Sequence, residues 1–123
     1  MDFPSVNVCL LVGRVEEDPQ IRHLQDGKMK AEIRLLTQRQ WGDRVFDERH
    51  SICVWGNRAG ELGSVTKGAI LQVTGDIRHR SYENKDGVRV YKTELNSRDL
   101  TVLSFGPKHQ QPAAPDGGED LPF

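Results

Sequence analysis

With 123 residues, and nearly all of its apolar content in about the first 106, the chain has room for one modest domain and a tail, and a second core is excluded. Its 17 basic and 18 acidic side chains give a net charge of −1; setting aside Lys108, Asp116, Glu119 and Asp120 leaves a near-neutral body, 16 against 15. That balance excludes a binder relying on a broad positive field, so any nucleic-acid contact needs basic side chains gathered on one face.

Val6, Val8, Leu10 and Val12 recur at the period of a strand before Gly13, which permits a bend. Cys9 and Leu11 make the alternate face apolar too, so burial on both sides is expected. Asp18-Pro19 breaks the chain, Gln20 to Leu24 can extend, and Asp26-Gly27 signals a hairpin. Met29, Ala31, Ile33 and Leu35 alternate with Lys30, Glu32 and Arg34 in a second strand running towards Gln40, and the chain turns around Trp41 to Arg44. Phe46 to Trp55 reads as a third strand, with His50, Ile52 and Val54 opposite Ser51, Cys53 and Trp55. Only residues 57–67 favour a helix: Asn57 is placed to cap it, Ala59, Leu62 and Val65 share one face, and Gly60 and Gly63 keep it short. Leu71, Val73, Gly75 and Ile77 open a fourth strand that continues to Tyr82. Asn84-Lys85-Asp86-Gly87 is the strongest hairpin signal, Val88 to Leu95 a fifth strand, and Leu100 to Leu103 a last apolar piece.

This order predicts an all-β chain: a five-stranded OB-fold Greek-key barrel over residues 1–106, with one short helix between strands 3 and 4. A disordered C-terminal tail is expected over 107–123. There Glu119, Asp120, Leu121, Pro122 and Phe123 set acids around one aromatic ring, with Pro122 stiffening the backbone. That is the layout of a peptide offered to a partner protein, although a frayed, solvated end has the same composition.

Residues 1–5 have no basic region, and no apolar run approaches the length that crosses a bilayer, so a cytoplasmic protein is expected. Cys9 and Cys53 lie in apolar runs far from CxxC spacing and read as buried, reduced thiols. His23, His50, His79 and His109 lack metal-ligand spacing, and no cofactor or metal is expected.

Single strands of nucleic acid are held by aromatic faces that stack on bases and cations that follow phosphates. Trp41 lies beside Arg39 and Arg44 at a turn, Trp55 ends strand three, and Tyr82 follows Arg78-His79-Arg80 at the base of the long hairpin. Arg89 and Lys92 return along its other arm. Trp55, next to Ile52 and Val54, also suits simple packing, and Tyr91 suits either class. Asp43, Asp47, Glu48 and His50 form the one dense acid and histidine cluster, in which Asp43 and Asp47 could hold magnesium as nuclease carboxylates do, but a solvated hairpin explains them more cheaply. No GxSxG, phosphate-binding glycine loop or HExxH occurs.

These residues resemble the bacterial single-stranded DNA-binding proteins. The match lies in Val6-Asn7, Leu10 to Arg14, Asp18-Pro19 with Arg22, Trp41, His50 ahead of Val54-Trp55-Gly56, Lys67-Gly68, Gly75 with Arg78 and Arg80, Tyr91, and the terminal Leu121-Pro122-Phe123. The resemblance implies a non-enzymatic homotetramer that wraps single-stranded DNA without sequence preference. It also implies that the tip recruits replication, recombination and repair proteins. By position, Trp41, Trp55 and Tyr82 fall where the family stacks bases, and Arg78 and Arg80 where it contacts phosphates. Arg34, Arg39, Arg49, Arg89 and Lys92 are further candidate phosphate contacts. The family commonly has Trp where this chain has Arg49, so weaker stacking and a steeper salt dependence are expected there. The linker is shorter than the family's usual one, and the tip has fewer acids. The alternative is a replication-restart accessory protein of the same fold that works mainly through protein contacts, against which the tip argues.

Overall fold

The computed structural model describes residues 2–107. Its strands are β1 (Cys9–Val15), β2 (Gln20–His23), β3 (Met29–Trp41), β4 (Arg44–Trp55), β5 (Ile70–Glu83) and β6 (Arg89–Ser104). Between β4 and β5 lie one short helix, α1 (Asn57–Glu61), and a 3-10 turn (Leu62–Ser64). The sheet order is β1-β5-β6-β4-β3-β2, and β1 also pairs with β3, which closes the barrel. Leaving aside β2, which pairs only with β3, the five remaining strands make the expected OB-fold, with the parallel β4–β6 pair at Ile52↔Leu95 and Cys53↔Asn96. The terminal segment carrying Glu119 to Phe123 lies outside the described residues.

Period-two patterning sorts the side chains as β3 predicts: Ala31, Ile33 and Leu35 are buried with Ile52, Leu71, Val73 and Leu95, and Lys30, Glu32 and Arg34 turn outward. Burying each Leu, Ile or Val contributes about 1.5–3 kcal/mol. Ala59, Leu62 and Val65 join the same cluster, so the one-faced pattern of 57–67 is realised across α1 and the 3-10 turn. Asn57 does not cap this helix. The cap position is Gly56, whose φ of 80° turns the chain out of β4, and no side-chain cap bond forms.

Two further departures have physical causes. β1 continues through Gly13 to Val15, and the missing Cβ at Gly13 lets the Leu36 carbonyl approach where β1 passes from β5 to β3. Its apolar faces are also unequal: Leu11 and Val15 turn to the core, while Val6, Val8, Leu10 and Val12 are half or more exposed on the single chain. The two apolar pieces 88–95 and 100–103 form one strand, β6. Thr74 pairs with Asp99 and Gly75 with Ser97, which leaves Arg98 as an extra, bulged residue. The bulge shifts the alternation by one, so that Leu95, Leu100 and Val102 can all reach the core.

The hairpin signals are met by local bonds. Gly27 and Gly87 have φ of 86° and 80°, Asp26 Oδ1 accepts from Lys28 N–H, and Asn84 Oδ1 accepts from the N–H groups of Asp86 and Val88. Cys9 and Cys53 are free thiols, and burial pushes the Cys53 thiol upward. No helix among the described residues is long and apolar enough to cross a membrane.

Candidate nucleic-acid interface

Cross-strand register brings one set of outward side chains together. Lys30 pairs with Trp55, Arg34 with Ser51, Arg78 with Glu94, Arg80 with Lys92 and Tyr82 with Val90. Lys30, Trp55, Arg78, Arg80, Glu94 and Asn96 line an open groove of about 390 Å³ across β3, β4, β6 and β5. Arg34 and Lys92 line an adjoining one of about 100 Å³.

Each aromatic of this face already carries a cation. Lys30 Nζ lies 5.1 Å from the Trp55 ring centroid and the Arg80 guanidinium 5.2 Å from that of Tyr82. Trp55 is 46% and Tyr82 42% exposed, which leaves ring surface for a base to cover. Most of the cations are paired with carboxylates of the same face: Lys30 with Glu32, Arg78 with Asp76, and both Arg80 and Lys92 with Glu94. Arg34 forms no ion pair among the described residues. Arg49 gives its Nε to Glu16 Oε2 at 2.7 Å, tying β4 to the end of β1 and leaving its terminal nitrogens for other acceptors.

Three candidates stand apart. Arg39 and Trp41 share the strand parity of Ile33 and Leu35, the opposite side of β3 from Arg34. Arg39 bonds Glu48 and lies 4.7 Å from the Phe46 ring, and Trp41, 74% exposed, ends β3 opposite Arg44. Since Lys30 sits beside Trp55, the two tryptophans lie near opposite ends of β3, roughly 35 Å apart along it. Arg89 likewise has the parity of Leu95 and pairs with Glu83, away from Lys92. Tyr91, with His79, Ser81 and Thr93, lines a pocket of about 420 Å³ on the hairpin arm.

Alternation sets Asp47 on the opposite side of β4 from Glu48 and His50, and each of the three has its own partner. Asp47 accepts from Gln38, Glu48 from Arg39, and His50 bonds Thr37 Oγ1 at 2.8 Å. Lys30, Asp76, Glu94 and Arg98 belong to the face but are not singled out by the sequence. Lys30 was legible as an outward residue of β3, but its partner Trp55 is visible only in the register. Arg98, the bulged residue of β6, has its Nε 3.5 Å from Asp76 Oδ1, a contact across strands.

Residues 6–103 match the model of the single-strand binding protein family. The chain belongs to this family. It is 32% identical over 118 residues to the single-stranded DNA-binding protein of Lactiplantibacillus plantarum, covering 92% of this chain and 58% of that protein. Single-stranded DNA-binding protein 1 of Lactococcus lactis is 32% identical over 123 residues, 95% of this chain and 81% of that one. The chain thus spans little more than half of the first relative's length and most of the second's. Among solved structures, a Plasmodium falciparum SSB in complex with ssDNA superposes with a TM-score of 0.76 at 26% identity, covering 85% of this chain and all of that one. A deletion mutant of the Thermus aquaticus single-stranded DNA binding protein, at 22% identity and TM-score 0.71, covers 80% of this chain and 51% of that chain and shares the fold.

Proposed function

We propose that this chain binds single-stranded DNA without sequence preference, as a non-enzymatic, cytoplasmic protein of DNA replication, recombination and repair. The observation that carries the reading is the gathering of Trp55, Tyr82, Lys30, Arg34, Arg78, Arg80 and Lys92 on one outward face of a family member's barrel. The rings stack on bases while the cations follow phosphates. Arg49 extends the track towards β1, and Trp41 with Arg39 and Arg89 offers further contacts on the two hairpin arms.

The exposed stripe Val6, Val8, Leu10 and Val12 supports self-association of β1 with a second copy, the physical part of the homotetramer expected from the family. Glu119 to Phe123 is proposed as the segment that recruits partner proteins. Titrating the full chain with an oligothymidylate while following tryptophan fluorescence tests the function: Trp41 and Trp55 are expected to quench as bases stack. No quenching at low salt would overturn the reading.

A further inference from the structure

Two carboxylates lie where a polyanion is to bind. Asp76 is 7% and Glu94 8% exposed, yet both sit on the outward side of the β5–β6 ribbon, beneath the cations. Glu94 accepts from Arg80 Nε and Nη2 at 3.1 and 3.2 Å and lies 3.4 Å from Lys92 Nζ. Asp76 Oδ2 accepts from Arg78 Nε at 2.7 Å, and its Oδ1 lies 3.5 Å from Arg98 Nε. The cationic side chains are the exposed partners, from 36% for Lys92 to 71% for Arg98. Two buried acids therefore underlie four outward cations.

We infer that Asp76 and Glu94 are positioning residues, which hold Arg78, Arg98, Arg80 and Lys92 in place along the ribbon so that their remaining donors meet the phosphates of a single strand. The inference rests on the single-strand-binding reading above and adds Arg98 to the contacts. A phosphate does not pull these cations away, because that would leave a buried carboxylate uncompensated, a strongly destabilising change. It does not need to. A guanidinium has five N–H donors; Arg80 gives two to Glu94 and Arg78 one to Asp76, and the others remain for a phosphate. Held side chains also lose less rotamer freedom when DNA arrives. Both acids stay ionised near neutrality. For Asp76 the Arg78 hydrogen bond outweighs desolvation; for Glu94 burial opposes ionisation, but Arg80 and Lys92 more than offset it, so both carboxyls lie below their ordinary values.

The test is oligothymidylate binding by the full chain across a salt series. Glu94→Gln is expected to weaken binding about tenfold, as two long side chains must be immobilised afresh, and to flatten the salt slope by about one to two phosphate equivalents. Asp76→Asn and Arg98→Gln are expected to flatten it by about one each, and they test the inference even if Glu94→Gln does not fold. In an Arg80→Gln, Lys92→Gln background the Glu94→Gln effect should vanish. Tighter, steeper binding by Glu94→Gln would show a carboxylate that merely repels DNA, and an equal loss in the background lacking both cations would show a merely structural one; either overturns the inference. A parent that binds alongside variants that match it overturns the inference alone, whereas a parent that does not quench overturns the function and this inference with it.

Discussion

Replacing Gly75 by alanine is expected to destabilise the protein by about 3 kcal/mol, although it adds a single methyl group. Gly75 lies at the bulge, paired with Ser97 while its neighbour Thr74 pairs with Asp99. A Cβ there falls against the Asn96 carbonyl oxygen, with Asn96 C at 2.8 Å and Leu95 Cδ2 at 2.9 Å. Two of these three neighbours are backbone, and that stretch of β6 is held on both sides, by β5 and by the parallel pairing to Ile52 and Cys53 of β4. It cannot retreat without loosening one of them. Overpacking costs about 1–3 kcal/mol, and a backbone obstruction belongs at the top of that range. In a domain of about 100 residues each kcal/mol lowers Tm by about 4–8 °C, so a fall of about 12–24 °C is predicted. Gly63→Ala is the matched control: its Cβ meets nothing within 4 Å, and its effect should lie between neutral and about 1 kcal/mol stabilising. Thermal unfolding followed by circular dichroism at one protein concentration reads both. A Gly75→Ala protein melting within about 2 °C of the parent would refute the reasoning.

Trp55→Ala should lose about 1–3 kcal/mol of oligonucleotide affinity. Because Trp41 lies near the other end of β3, its replacement should add to that loss to within about 0.5 kcal/mol; a double variant far from the sum would mean that the two rings share one contact. The acid limb of stability follows from the lowered carboxyls of Asp76 and Glu94. The unfolded chain regains ordinary values, so their contribution is fully present at neutral pH, declines as pH falls below about 4, and is gone below the native values. Urea midpoints measured against pH should therefore drop less steeply on acidification for an Asp76→Asn, Glu94→Gln double variant than for the parent, and identical acid limbs would contradict the assignment.

Much of the barrel is legible one residue at a time, because strand alternation and turn chemistry are local. Ala31, Ile33 and Leu35 against Lys30, Glu32 and Arg34 define the two sides of β3, and Asp26-Gly27 and Asn84 to Gly87 announce their turns. The burial of β1 was not legible in the same way. Both of its faces are apolar, and only packing across the barrel decides that Leu11 and Val15 turn inward while Val8 and Leu10 do not.

The sequence by itself determined most of the strand inventory, the helix between the halves, the near-neutral charge, and the presence of aromatic and basic residue types suited to stacking on bases and meeting phosphates. Tertiary structure alone decided which of them share a face. Parity along one strand separates Arg39 from Arg34 and Arg89 from Lys92, and Arg98, at the bulge, meets Asp76 across strands. Lys30 meets Trp55, and Arg80 meets Glu94, through cross-strand register. Register is set by where the barrel closes and where β6 bulges, and both depend on contacts between residues far apart in the chain.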